Sequence, residues 1–285
     1  MNELVLGTAQ MGSPYGITNH HGRLRDDTMT AMVQDAFRRG VTLLDTAPSY
    51  GDAESRLGAL APSGARYITK FTLSDRPPNE EDLYLRSLRR LQADSLHGLL
   101  AHRISDLSHP QFGQVLEILR SARSAGLVER FGVSVYDRTE LDLAFRIIPD
   151  LDIVQVPGNA VDRRLLDDDL VAELHENGVQ IHVRSVFLQG LLLEDSERLD
   201  SRFRQLIPAI QLFDEVADEL RTTRMRVLLG QLKDDPLVDA VLVGATSYEE
   251  LRQILDSWES NVQIPKLGAP ALGNEILDAR AWKAR

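Results

Sequence analysis

Short apolar runs alternate with longer stretches of helical periodicity along the whole chain. The runs are LVLGT (4–8), VTLLDT (41–46), RYITKF (66–71), HGLLAH (97–102), RFGVSV (130–135), DIVQV (152–156), QIHVR (180–184) and DAVLVG (239–244). Most are almost continuously apolar, the pattern of parallel strands covered on both faces by helices. Between them the spacing predicts amphipathic helices over 26–39, 53–60, 79–92, 111–125, 137–147, 162–176 and 247–257. The interval 202–233 holds enough pattern for two helices, so one is expected in excess of the repeat. Element ends carry their own signals. DDTMTAMVQDAFRRG opens on acidic residues and closes on Arg38, Arg39 and Gly40, each suited to its end of a helix dipole. Asp137 is placed to cap the helix that follows RFGVSV.

Eight strand–helix units favour a closed α/β (β/α)8 TIM barrel over an open doubly wound sheet. A length of 285 residues suits that architecture, which typically takes roughly 250. No Pro/Gly/Ser-rich linker divides the chain, so residues 1–285 read as one domain. Strand one begins almost at once, so a barrel lacking the usual N-terminal hairpin across its bottom is expected.

Composition narrows the chemistry. Without cysteine, the chain has no disulfides, thiolate metal sites or cysteine nucleophiles. A formal charge of −11 disfavours nucleic acid and anionic membranes as partners, although a local basic pocket is compatible with it. MNELVLGTAQ lacks the cationic, apolar character of a signal peptide. Apolar stretches such as VDAVLVGA fall far short of the roughly 20 residues of a membrane span. A soluble cytoplasmic protein is the expectation; no oligomeric state is read from the sequence. GxGxxG is absent, so a nicotinamide cofactor would be held otherwise than in a Rossmann domain.

In such a barrel, polar residues at the C-terminal strand ends face the active site. Asp45 ends strand two and Tyr50 follows by five residues; Lys70 ends strand three and His102 strand four. Taken singly, each has an ordinary structural reading as a cap, a surface ring, a snorkelling amine or a packed histidine. Together they form a proton-transfer unit. A lysine ammonium stabilises a phenolate and lowers a tyrosine pKa, an aspartate balances the buried ammonium, and an imidazole orients a carbonyl oxygen.

The ordered segments LVLGTAQMG, LLDTAPSYGDAESRLG, YITK, LLAH, GVSVY, VQVPGN, SVFLQGLL and VLVGATSYEEL resemble those of the aldo-keto reductase superfamily over residues 4–257, with DTAPSYGDAESRLG the most specific. The resemblance implies catalytic roles for Asp45, Tyr50, Lys70 and His102. It implies hydride transfer from NADPH to a carbonyl, with the proton from Tyr50. Ser134 and Gln155 match residues that hold the nicotinamide carboxamide. Ser185, Phe187, Gln189 and Gly190 match the pyrophosphate loop, and Gly244, Ala245, Thr246 and Ser247 open a helix whose amides favour phosphate.

There are departures. Val135 stands where asparagine is common, with Asn159 as a substitute or a turn residue. Arg184 replaces an aromatic ring and could stack on nicotinamide or bind an anionic substrate. Glu250 takes the place of a basic residue or glutamine near the adenosine 2′-phosphate and suits a ribose hydroxyl, so NADH is open alongside NADPH. Gln253 and Ile254 replace a Glu-Asn pair near the adenine. The motif's similarity to bacterial members among sugar pathways implies a small-molecule carbonyl substrate, sugar-derived or otherwise polar. Some relatives, the potassium-channel beta subunits, act largely as cofactor-binding regulatory partners, which is the alternative reading. His20-His21 lacks the further ligands a metal site needs, so no metal is expected. His182 reads as a core histidine and Trp282 as a packing residue near a short tail.

Overall fold

The computed structural model describes residues 2–60, 62–74, 76–268, 270 and 272–282. Eight parallel strands, β1 (Glu3–Gly7), β2 (Leu43–Asp45), β3 (Arg66–Phe71), β4 (Leu96–Ala101), β5 (Val128–Ser134), β6 (Ile153–Pro157), β7 (Gln180–Arg184) and β8 (Ala240–Val243), pair in sequence order. Glu3 to Leu6 lie beside Ala240 to Val243, which closes the barrel. This is the (β/α)8 TIM barrel expected from the apolar runs.

Helices α1 (Ala9–Gly12) and α2 (Asp26–Arg38) follow β1, α3 (Ala53–Leu60) follows β2, and α4 (Arg86–Leu91) follows β3 behind a π-helical turn, Glu81–Leu85. The outer layer continues with α5 (Phe112–Ser124), α6 (Arg138–Ile147) and α7 (Asp169–Glu176). Then come α8 (Ile207–Glu219), α9 (Arg224–Lys233), α10 (Tyr248–Glu259) and α11 (Asn274–Leu277). Both α8 and α9 lie between β7 and β8, which accounts for the helix in excess of the repeat.

Helix α2 shows how the pattern becomes packing. Met29, Met32, Val33 and Ala36 recur at helical spacing and are all buried. Each fully buried Met or Val contributes about 1.5–3 kcal/mol relative to exposure. The helix ends where Gly40, at φ +80°, donates to Phe37 O and Val41 to Ala36 O. Asp137 caps α6 as expected, its side chain accepting from Glu140 N.

One helix is shorter than its periodicity. The expected 162–176 element starts only at Asp169, capped by the Asp168 carboxylate. Upstream, Asn159 Oδ1 accepts from the amides of Val161 and Asp162, Arg164 binds Asp162, and Arg163 reaches Asp235. These bonds hold 159–168 as turns. Asn159 is thus a turn residue, and Arg163 and Arg164 lie in ion pairs with buried aspartates. Among the described residues, no helix is long and apolar enough to cross a membrane.

Candidate active site

The barrel interior holds a small apolar cluster of Val5, Leu43, Ile68, Leu100, Ile153, Ala240 and Leu242. Side chains two residues apart share a strand face. Two positions beyond five of these come Gly7, Asp45, Lys70, His102 and Gln155, and Gly244 follows Leu242 likewise; all six line one cavity at the C-terminal end of the barrel. The period-two rule therefore delivers polar groups from successive strands to one place. His102 lies just past β4 but stays in register, its amide donating to Phe71 O at 2.9 Å.

Lys70 and Asp45 are among the most deeply buried charges, with side chains 1% and 4% exposed and Nζ 2.5 Å from Oδ1. Lys70 also donates to Thr46 O at 3.0 Å, and Gln155 Nε2 donates to Asp45 Oδ2 at 2.9 Å. Burial pulls the Lys70 amine down, but Asp45 and Tyr50 outweigh it and hold it above its ordinary value. The ammonium lies 5.2 Å from the Tyr50 ring centre.

Tyr50 departs from the expected direction. Its phenol is pushed up by burial, Lys70 works against this, Asp45 reinforces it, and the net result lies above the ordinary value. Lys70 thus acts with the expected sign without overcoming desolvation. The phenol is held protonated at neutral pH. The His102 ring meets that of Tyr50 edge-on at 5.9 Å. Burial, with Lys70, Arg184 and Arg103 adding positive charge, pushes this imidazole down to about 3, so it is neutral at ordinary pH. Its Nδ1 lies 3.3 Å from Ser49 Oγ.

Two glycines fix the loop that carries Tyr50. A Cβ on Gly12 would lie 1.7 Å from Tyr50 O, and one on Gly51, at φ +63°, 2.2 Å from Gly12 O. Only backbone fits between α1 and this loop. Other parts of DTAPSYGDAESRLG are structural: Glu54 accepts from Thr69 at 2.7 Å, and Arg56 binds Leu24 O and Asp26.

Of the residues matched to cofactor contacts, Ser134, Gln155, Arg184, Ser185, Phe187, Gln189, Gly190, Gly244, Thr246 and Glu250 line the same cavity. Ala245 is buried, Ser247 caps α10 by accepting from Glu250 N, and Gln253 is exposed; these three do not line it. Glu250 Oε2 accepts from the Thr246 amide at 2.6 Å and its hydroxyl at 2.8 Å. Ser247 takes up the Glu250 amide, and Glu250 the amide and hydroxyl of Thr246, so donors a phosphate would use at the head of α10 are already engaged. Gly190, at φ +93°, faces Thr18: a Cβ there would lie 2.0 Å from Thr18 Oγ1. The close approach at this glycine is made by the β1–α2 loop.

The residues matched to the nicotinamide carboxamide fit that group. Gln155 Oε1 accepts no hydrogen bond within the described chain, and Ser134 Oγ accepts only a 3.4 Å bond from Arg184. At the position matched to the adenosine 2′-phosphate, the Glu250 carboxylate at the head of α10 fits a diol better than a phosphate.

Sequence reasoning missed Thr8, Gln10, Tyr15, Gly16, Thr18 and Tyr136, which also line the cavity. Thr18 Oγ1 donates to Gln189 O at 2.9 Å and the Ile17 amide to Gln189 Oε1 at 3.1 Å, strapping the β1–α2 loop to the β7 loop. Tyr136 lies two residues past the end of β5, and its position near a strand end was the available signal. Trp282 packs edge-on against Phe203 at 5.1 Å, in line with a packing role. His182 is buried in β7, its imidazole pushed down to about 3 by burial first. Among the described residues, no cluster of His, Cys, Asp or Glu could hold a metal.

A closed barrel with buried charges gathered at its C-terminal strand ends has the layout of a barrel enzyme. Residues 3–267 match the model of the Aldo/keto reductase family. The chain is 27% identical over 312 residues to a D-threo-aldose 1-dehydrogenase from Pseudomonas sp, spanning 90% of this chain and 89% of that protein. It is 23% identical over 293 residues to the aldo-keto reductase YhdN of Bacillus subtilis (strain 168), spanning 90% and 87%. A solved structure, the glycerol dehydrogenase from Gluconobacter oxydans, shares the fold with a TM-score of 0.67 at 20% identity, covering 95% of this chain and 88% of that one. The chain belongs to the aldo/keto reductase family, and with it to the oxidoreductases.

Proposed function

We propose that this protein is an NAD(P)H-dependent oxidoreductase that interconverts an aldehyde or ketone and an alcohol, with Tyr50 giving the proton to the carbonyl oxygen. The observation that carries this reading is the buried Asp45–Lys70 pair beside a Tyr50 phenol whose burial keeps it protonated. A proton donor must hold its proton until negative charge develops on the substrate. The nearby ammonium then stabilises the phenolate left behind. Neutral His102, its Nδ1 3.3 Å from Ser49 Oγ, is proposed to carry its proton on Nε2 and present it to the same oxygen. A bound nicotinamide would supply the hydride; Ser134 and Gln155 are the residues proposed to hold its carboxamide. Glu250 disfavours a 2′-phosphate, so NADH is proposed to be accepted alongside NADPH. The substrate is proposed to be a small polar carbonyl compound, sugar-derived by analogy with the aldose and glycerol dehydrogenases named above. The protein is proposed to be a single cytoplasmic domain.

The test is consumption of NADPH and of NADH with a panel of sugar aldehydes and other polar carbonyl compounds, for wild type and Tyr50→Phe. Turnover by wild type that Tyr50→Phe loses by two orders of magnitude supports the reading. Equal, substantial rates would remove Tyr50 from the proton-donor role, and negligible turnover by both would leave a cofactor-binding regulatory protein as the better description.

A further inference from the structure

Tyr136 is stacked by two guanidinium groups, Arg184 and Arg280, each with Cζ 4.0 Å from the ring centre. Two planar cations at that distance cannot share a face, so the ring is sandwiched between them. Their surroundings differ. Arg280 is compensated by Asp278 at 2.7 Å, Glu140 at 2.6 Å and Asp137 at 3.4 Å. Arg184 pairs with no carboxylate among the described residues. It donates to Val135 O at 3.0 Å and to the hydroxyls of Ser134 and Ser185 at 3.4 Å each.

A half-buried guanidinium is always charged and leaving it without a counter-ion is costly. The contrast is sharp in a chain of net charge −11. Two of its three bonds are long, so its donor capacity is largely unspent. The group also faces the reaction centre: it lines the cavity with Tyr50 and His102. Burial is the largest influence on the pKa of Tyr15, Tyr50 and His102, and the Arg184 charge works downward on all three.

We infer that Arg184 is an anion-recognition residue, and that the substrate carries a carboxylate or phosphate which pairs with Arg184 while its carbonyl lies at Tyr50 and His102. The Arg280–Tyr136 stack holds the guanidinium at the cavity wall. The inference rests on the reductase reading and specifies its substrate class.

The first experiment needs no turnover. Calorimetric titration with succinate and with inorganic phosphate should show binding to wild type that weakens about 10- to 100-fold in Arg184→Gln, the worth of a charge-assisted contact. The second compares kcat/KM for succinic semialdehyde against butanal, and glyceraldehyde 3-phosphate against glyceraldehyde. Wild type should favour the charged member of a pair, mainly through KM. Arg184→Gln should cut that ratio at least tenfold, and Arg184→Lys should restore part of it. Cofactor affinity by fluorescence titration distinguishes the other source of anionic oxygens. If Arg184→Gln weakens NADH binding while leaving the ratio intact, the guanidinium serves the cofactor's pyrophosphate and the inference is overturned. Equal anion binding by wild type and variant, or none by wild type, overturns it as well. Arg184-dependent anion binding with no reduction of any carbonyl compound would support the anion site and defeat the reductase reading.

Discussion

Replacing Lys70 by methionine separates what the buried ion pair does for stability from what it does for Tyr50. Methionine refills most of the space of the lysine stem, so little cavity is left. What remains is the Asp45 carboxylate, 4% exposed, with only the 2.9 Å bond from Gln155 to stabilise it. Removing one partner of a buried pair costs about 3–5 kcal/mol, roughly 6–20 °C of Tm in a protein of this size. The stranded carboxylate is relieved by protonation, so the deficit should shrink as pH falls. The double variant Asp45→Asn/Lys70→Met removes both charges and should recover most of the loss, to within about 2 kcal/mol of wild type. Activity should not follow. Both variants remove the ammonium, the main influence lowering the Tyr50 pKa, and both should lose at least about 10²-fold in kcat. Urea unfolding at several pH values, with carbonyl reduction assayed in parallel, reads both outcomes. The reasoning is refuted if the double variant is less stable than Lys70→Met, or if it regains activity. In wild type, Lys70 is raised by Asp45 and Tyr50 against burial, so its contribution is fully present below pH 10.5 and is lost only at more alkaline pH.

Further outcomes follow from the same geometry. Gly12→Ala places a methyl group against Tyr50 O; it should cost about 1–3 kcal/mol and lower kcat more than it raises KM, and an unchanged Tm would show that the loop yields freely. His182 and His102 are both held near 3, chiefly by burial, whereas the unfolded chain protonates them as pH falls through about 6.5, so stability declines from there downward. His182→Leu should reduce the stability lost between pH 7 and pH 5 by about 2 kcal/mol, and an undiminished loss in urea titrations would contradict its being buried neutral. Glu250→Gln keeps an acceptor for Thr246 but removes the charge, so NADPH affinity relative to NADH should rise about tenfold by fluorescence titration. An unmoved ratio would exclude Glu250 from the adenosine site.

The eight strands were readable because burial on both faces leaves continuous apolar runs, and the polar cavity cluster was readable because inward positions repeat every second residue. Asp45 follows Leu43, Lys70 follows Ile68 and His102 follows Leu100, each stepping from the apolar interior to the cavity. Features made by pairing between distant segments left no periodic trace. The Asn159 and Asp162 bonds override the helical spacing over 162–176 and keep its first residues in turns. Gly190 signalled a close approach but not that Thr18, 172 residues away, makes it. The Arg184–Tyr136–Arg280 stack joins β7, the end of β5 and the tail, and no local pattern announces it. The net direction of the Tyr50 shift was also hidden, since the opposing charge of Lys70 is legible and the depth of burial is not.

Tyr50 as proton donor is the claim on which the account turns. Its most direct measurement is the single-turnover rate of carbonyl reduction by enzyme saturated with reduced cofactor, compared between wild type and Tyr50→Phe, with cofactor affinity measured alongside. The account predicts a rate lower by at least about 10²-fold in the variant with cofactor affinity unchanged. Equal rates at equal cofactor affinity would contradict it.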